Sequence, residues 1–381
     1  MTVDALDVLS AGLAGLTGVG LLQCALGWAA LVRFRARRTP EPPALPAVTI
    51  LKPLHGDEPM LEDALASVCQ QDYPNFQIVF GLQDPDDSAL PVLRRLRARF
   101  PAVNMDVVVD RTRHGVNRKV GNLINMLPNA RHDVLVIADS DMHVAPDYLR
   151  RLVAAMQPGT GLVTTVYAGL PATDALPAQL GAAQINHAFL PGALLARAMG
   201  RQDCLGATMA LTRDMLEQVG GLHALVDHLA DDAVLGRLVC ARGLSVSLAD
   251  TIPATTVPET QLPALFQHEL RWARTVKSLV PAEFAMSSVQ YPIIWAALTV
   301  GVSGGDMRAW ALFAFAWTWR AAMAWAVDRS LGVASGLTIW CLPLRDLLSL
   351  TVILASYRTR RVAWRGQVLT ANRPDLVPGK G

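Results

Sequence analysis

Three regimes of hydrophobic patterning succeed one another along the chain. Residues 8–33 are apolar almost without interruption and run into the basic stretch RFRARR (33–38). An apolar run of about 20 residues crosses a bilayer as a helix. From Val48 to about Pro281 short apolar segments alternate with amphipathic ones. VTILKPL (48–54), FQIVFGLQD (76–84), MDVVVD (105–110) and DVLVIADSD (133–141) read as strands, the last as a buried one ending in acids. PMLEDALASVCQQ (59–71) and LPVLRRLRARF (90–100) have helical spacing, and DYP (72–74) breaks the first of these helices. This alternation predicts an α/β domain with a largely parallel sheet, which binds ligands at the carboxyl ends of its strands. After Pro281 the third regime holds apolar stretches at 290–304, 309–327 and 332–356.

Charges place these stretches. The basic run after residue 33 puts that side in the cytoplasm, as does the basic tail RTRRVAWRG (358–366). A signal peptide is disfavoured, because no basic segment precedes the first apolar run and no small-residue cleavage site follows it. Both placements together require an odd number of full crossings. Four apolar segments are present, so one is expected to be re-entrant or interfacial, and 290–304 is the shortest. Arg320, Arg345 and Asp346 fall inside or near the C-terminal stretches, where buried charges must pair or face a cavity. The expected division is an N-terminal membrane helix (1–36), a Pro-rich linker (37–47), a cytoplasmic α/β domain (48–282), C-terminal membrane helices (283–357) and a basic tail (358–381).

Composition agrees. Hydrophobic residues make up 52% and charged residues 17% of the 381 positions, so part of the apolar content is expected to face lipid. The net charge of +2 is too small to argue for nucleic acid. The five cysteines are scattered without CxxC spacing, against both a zinc site and a disulfide framework.

Five segments carry candidate chemistry. In Asp139-Ser140-Asp141, two carboxylates at a strand-to-loop transition can serve a divalent cation bridging the phosphates of a nucleotide-sugar; solvated acids or a helix cap are the plain alternative. QDPDDSA (83–89) offers Asp84 and Asp87 to a nucleoside, or simply forms an Asp/Pro turn. HGVNRKVGNLINM (114–126) offers Arg118 and Lys119 to phosphate, with Asn122 and Asn125 binding neighbouring polar groups, or is an ordinary polar helix start. HLADDAVLGRLV (228–239) places Asp231 and Asp232 at the head of a helix. The helix dipole alone explains acids there, and the same position suits a general base, for which Asp232 is the better candidate. In FQHELRWART (266–275), Arg271 can clamp phosphate and Trp272 can cover sugar or acceptor, or both anchor an interfacial helix.

The order of these features resembles the inverting family-2-type glycosyltransferases, and more closely the ceramide glucosyltransferase-like branch. Lys52-Pro53-Leu54, Asp72-Tyr73-Pro74, QDPDD (83–87), the KV–N–N stretch (119–125) and three acidic stations followed by Arg271-Trp272 carry that resemblance from about Val48 to Trp272. Within the branch, KPLHGDEP, NRKV, NLINMLP, ADSD, DHLADD and HELRWART look most like bacterial hopanoid-associated members. The resemblance implies a GT-A type domain and transfer of one sugar, N-acetylglucosamine or glucose, from a UDP-sugar to a lipid hydroxyl. It implies a hopanoid polyol as acceptor, with ceramide as the alternative and processive polysaccharide synthesis as a further one, in a multi-pass protein of the bacterial inner membrane.

Residue by residue, Asp84 and Asp87 would meet the nucleoside, and Lys119, Arg271 and Trp272 the donor. Asp139 and Asp141 would hold the diphosphate and its Mg2+ or Mn2+. Asp232 would be the base beside Asp231. His187 and His268, with Trp272, would lie on the acceptor side. His268 stands where the family has Gln or Arg, and Asp231 where it has Glu. A membrane binding or transport protein with a degenerate nucleotide domain is a different class, which would have lost the base or the metal acids; both are present here.

Overall fold

The computed structural model describes residues 5–42, 44–334, 336, 339–359, 361–364 and 367–370. Most of the basic tail lies outside them. In chain order the elements are α1 (Ala5–Ala36), β1 (Val48–Pro53), α2 (Leu61–Cys69), β2 (Phe76–Leu82), α3 (Leu90–Arg99), β3 (Asn104–Val109), α4 (Arg118–Met126), β4 (Val134–Ala138), β5 (Met142–His143), α5 (Tyr148–Ala154), β6 (Thr160–Thr164) and β7 (Ala168–Pro171). There follow α6 (Leu176–Gln184), α7 (Leu190–Ala198), β8 (Thr208–Thr212), α8 (Arg213–Gln218), α9 (Asp231–Ala241), β9 (Ser245–Leu248), β10 (Ala254–Val257), α10 (Leu262–Leu279), α11 (Pro281–Met286), α12 (Pro292–Val302), α13 (Met307–Leu331), α14 (Leu342–Ser356), β11 (Arg361–Trp364) and β12 (Gln367–Thr370). They form two compact units. Among the described residues, one comprises 35–172 and 200–258, the other 5–34, 173–199 and 259–370.

The first unit is built on a seven-stranded sheet of order β3-β2-β1-β4-β8-β6-β9. Its strands alternate faces, as the two-residue period of a strand requires. Val48, Ile50, Ile78, Phe80, Val134 and Val136 pack with α2, α3 and α5 on one side. Leu51, Val79, Leu135, Ile137, Met209 and Leu211 pack with α4, α8 and α9 on the other. A sheet covered on both faces needs apolar residues at nearly every position, which is why β1, β2 and β4 read as continuous runs. Gly81 sits where a Cβ would come within 2.2 Å of the Met126 sulfur, so a larger residue there would require the Met126 and Asn122 side chains of α4 to shift.

The sheet is mixed, which corrects the expectation of a largely parallel one. β3, β2, β1 and β4 are parallel, but β8 runs antiparallel between β4 and β6. The carboxyl ends of β1, β2 and β4 share one edge, and β8 brings its amino end there (Ala138 opposite Thr208). A second sheet, β5-β10-β7, has β10 antiparallel to β5 and parallel to β7. The linker is tied to the sheet domain at Asp250, after β9, which accepts hydrogen bonds from the Thr39 N–H (2.7 Å) and hydroxyl and lies 3.3 Å from Arg37 Nε.

In the second unit α1 has 32 residues and is the one helix, among the described residues, long and apolar enough by itself to cross a membrane. Leu6, Val8, Leu9, Val19, Leu22, Leu26 and Val32 leave it with an exposed apolar surface. The expectation of spanning helices at both ends is therefore corrected. α13 is 25 residues long but contains Arg308, Arg320, Asp328 and Arg329. α14 has 15 residues, about 22 Å of helix against a hydrocarbon core of about 30 Å. The stretch 290–304 contains a break at Tyr291, where residues 281–290 and 292–302 meet at 73°. Residues 281–302 thus form a bent pair that is either one broken span or a re-entrant loop.

The buried charges pair, as their cost demands. Arg345 holds Glu269 through two hydrogen bonds of 2.7 and 2.6 Å, and Arg320 lies 3.6 Å from Asp346.

Candidate active site

The sheet edge gathers most of the acids. β4 ends at Ala138, and the chain leaves the sheet through Asp139, Ser140 and Asp141 before β5. Lys119, in the first turn of α4, reaches Asp139 Oδ1 at 2.6 Å, lies 4.0 Å from Asp231 Oδ2, and donates to the Gly206 carbonyl at 3.3 Å. Asn117 caps α4 by accepting from the Val120 N–H at 3.1 Å, and its amide donates to Asp231 Oδ1 at 3.2 Å and to the His228 carbonyl at 2.8 Å. One asparagine therefore locks the start of α4 to the start of α9, and so fixes Lys119 relative to Asp231. Asp232, the next residue of α9, is half-buried and accepts from the Ala233 N–H at 2.8 Å. Gly206 permits this approach, since a Cβ there would lie 2.9 Å from Asp232 Oδ2.

Burial and crowding shape the protonation of this cluster. Burial pushes Asp232 up to about 6, and the neighbouring Asp231 carboxylate adds to the shift. Burial also raises Asp231 and Asp141, each with Asp139 as a further cause. Burial opposes the charge on Lys119, but Asp139 and Asp231 outweigh it and hold the ammonium above its usual range. Lys52, at the end of β1, has no exposed surface and donates to the Asp139 carbonyl at 2.6 Å. Burial lowers its pKa to about 8, against the pull of Asp141 and Asp139.

The donor set suits a cation shared with a substrate. Among the described residues no group of three or more His, Cys, Asp or Glu is arranged to hold a metal. Asp139 commits Oδ1 to Lys119 and Asp141 commits Oδ2 to Thr255. Lys119 and Thr255 thus each hold one oxygen of these two carboxylates in place. Hard cations such as Mg2+ are commonly held by one or two carboxylates completed with phosphate oxygens and water.

Asp84 and Asp87 lie at the neighbouring strand end, after β2. Asp84 is exposed, accepts from the Asp86 N–H at 3.1 Å and lies 3.7 Å from an Arg111 nitrogen. Asp87 is buried and accepts from the N–H groups of Gly56 and Ala89, both at 2.9 Å. It ties the loop after β1 to the loop after β2. From that tied loop, Glu58 accepts from the Ser140 hydroxyl at 2.9 Å, joining both acidic stations. Asp87→Ala leaves two backbone donors without their partner, so stability should fall by about 1–3 kcal/mol, measured by thermal unfolding of the full chain.

His187, His268, Arg271 and Trp272 belong to the helical unit. His268 pairs with Glu259 through Nδ1, and its ring meets Trp272 edge-on at 4.9 Å. Arg271 is the residue before Trp272 on α10. His187 lies on a π-helical turn, Ile185–Phe189, and its Nε2 is 2.6 Å from Asp328 Oδ1. The structure thus brings Asp139, Asp141, Lys119, Asp231 and Asp232 together and sets Asp84 and Asp87 at the adjoining loop. Sequence reasoning left out Asn117, Lys52 and Glu58 as site residues. The KPL motif pointed to Lys52 without showing that its charge is buried.

Comparison with known proteins agrees with this architecture. The profile of glycosyl transferase family 21 matches residues 13–376. Ceramide glucosyltransferase 1 of Caenorhabditis elegans is 22% identical over 263 residues, covering 68% of this chain and 56% of that protein. The ceramide glucosyltransferase of Komagataella phaffii is 33% identical over 129 residues, covering 32% of this chain and 25% of that protein. The chain thus matches little more than half of the first relative's length and a quarter of the second's. Among solved structures, a mannosyltransferase from Pyrobaculum calidifontis in complex with GDP-Man and Mn2+ superposes with a TM-score of 0.52 at 18% identity, covering 92% of this chain and 99% of that one. That likeness establishes the fold, a GT-A-like α/β architecture with a mixed sheet.

Proposed function

The chain belongs to glycosyl transferase family 21, and on that premise we propose that it is an inverting enzyme moving one hexose from a UDP-sugar to the hydroxyl of a ceramide-type lipid. The observation that carries this is the carboxylate cluster at the sheet edge. It combines a half-buried Asp232 raised to about 6 with a Lys119–Asp139 pair and a second carboxylate, Asp141. A base must be ionised at working pH yet basic enough to take a proton, and a carboxyl held near 6 meets both needs.

In this reading Asp232 removes the acceptor hydroxyl proton as that oxygen attacks the anomeric carbon. The bond from that carbon to the diphosphate oxygen breaks on the opposite face, UDP departs and configuration inverts. Asp139 and Asp141 would hold the divalent cation, Mg2+ or Mn2+, and Lys119 keeps Asp139 in place. The cation, when bound, offsets the charge of the diphosphate. Asp84 is the exposed candidate for the nucleoside, with Asp87 shaping the loop beneath it. Arg271, Trp272, His268 and His187 serve the donor phosphates and the acceptor.

Ceramide takes first place because the relatives named above are ceramide glucosyltransferases. The hopanoid polyol rests on short motif similarities that no such relative supports. In this reading α1 anchors the protein in the membrane, and the basic run Arg33–Arg38 supports a cytoplasmic side for residues 48–282.

The test is UDP release by the purified full chain, with UDP-glucose or UDP-N-acetylglucosamine offered alongside ceramide or a hopanoid polyol. Ceramide-dependent release supports the reading. Release with the hopanoid polyol alone reassigns the acceptor, and release dependent on neither lipid overturns lipid transfer.

A further inference from the structure

β10 is stitched onto the loop that carries Asp141. Ala254 and Thr255 pair antiparallel with His143 and Met142, and the Thr256 N–H donates to the Asp141 carbonyl at 3.1 Å. The Thr255 hydroxyl donates to Asp141 Oδ2 at 2.5 Å. Thr255 is 8% exposed, so little water competes for that bond. The bond fixes both the carboxylate oxygen and the rotamer that Asp141 presents.

We propose that Thr255 is a positioning residue for the divalent cation: its hydroxyl, bonded to Oδ2, holds the Asp141 side chain in one orientation at the metal station. This rests on the reading of Asp139 and Asp141 as the metal station. Thr256 supplies an internal comparison. Its hydroxyl bonds to His143 Nε2 at 2.9 Å, while its contribution to Asp141 is chiefly a backbone N–H that substitution leaves intact.

The test uses the full chain in detergent, titrated with Mn2+ in the presence of UDP, with bound metal followed by electron paramagnetic resonance. Partners that orient a metal ligand matter by about 10- to 100-fold in affinity. Thr255→Val should weaken Mn2+ binding by about that factor. Thr255→Ser, which restores the hydroxyl, and Thr256→Val should keep wild-type affinity. Circular dichroism confirms folding, and Thr255→Ala replaces the valine variant if that one unfolds. Wild-type affinity in the hydroxyl-less variant overturns the proposal, as does an equal loss in Thr255→Ser or Thr256→Val. The double variant Asp139→Ala/Asp141→Ala separates the two readings. Retained Mn2+ binding there removes the metal station itself. Its loss there, with Thr255→Val unaffected, removes only the role of Thr255.

Discussion

Asp232→Asn should lower kcat by about 100- to 10,000-fold, the usual contribution of a positioned general base. Nucleotide binding should be nearly unchanged, because the amide keeps the shape of the carboxyl group. The pH profile supplies a second mark. Burial and Asp231 raise Asp232 to about 6, so wild-type activity should fall as pH drops through that value.

Stability should move the opposite way. A carboxyl whose folded pKa is raised contributes stability below its unfolded value, about 3.9, that is lost as pH rises through the folded value. Asn is neutral at every pH. Asp232→Asn should therefore melt higher than wild type at pH 8, with the difference shrinking as pH falls through about 6 and on towards 4. Thermal unfolding at pH 4, 6 and 8 beside kcat measurements checks both signs. Near-normal turnover would remove Asp232 from the role of base.

Removal of divalent cations should be about as damaging. Several kcal/mol of charge stabilisation go with such an ion, so EDTA should cut kcat/KM by about 1,000-fold or more, and added Mn2+ or Mg2+ should restore it. Asp139→Ala should show the same loss without the restoration. In that variant Lys119 loses its 2.6 Å partner and keeps the Gly206 carbonyl at 3.3 Å and Asp231 at 4.0 Å. The freed ammonium then strengthens its attraction for Asp231. Activity of the variant should therefore stay low even at saturating metal. Full activity in rigorously metal-free buffer would count against the metal station.

Much of this site was legible in the chain before any coordinates. β1, β2 and β4 are buried on both faces, so each is a run of apolar residues that announces a strand, and the acids at their ends announce an edge. The helical spacing around Asp231 and around Arg271 is likewise local: α9 starts at Asp231, as the acids at its head imply, and α10 (Leu262–Leu279) contains the whole stretch 266–275. What escaped was long-range. Nothing in the period of residues 208–212 says that β8 runs antiparallel between β4 and β6, because strand direction is set by partners far away in sequence. The same is true of Thr255, 114 residues from Asp141 on a four-residue strand.

Asp87 shows a different limit. From sequence it reads as a turn residue or, by the family resemblance, as a nucleoside contact. Its two short bonds to Gly56 and Ala89 show the turn, whereas a nucleoside would leave its trace only in a complex. The apolar C-terminal stretches misled for a third reason. Hydropathy alone cannot separate a span from a helix whose Arg320 and Asp328 are buried in protein.

The most direct measurement is the product itself. Membranes containing the full chain, given UDP-glucose and ceramide, are extracted and the lipid analysed by mass spectrometry and by NMR of the anomeric proton. The account predicts one hexose per lipid, with configuration inverted from that of the donor. A retained configuration, a ladder of hexoses, or no sugar on lipid with any donor and acceptor offered would contradict it.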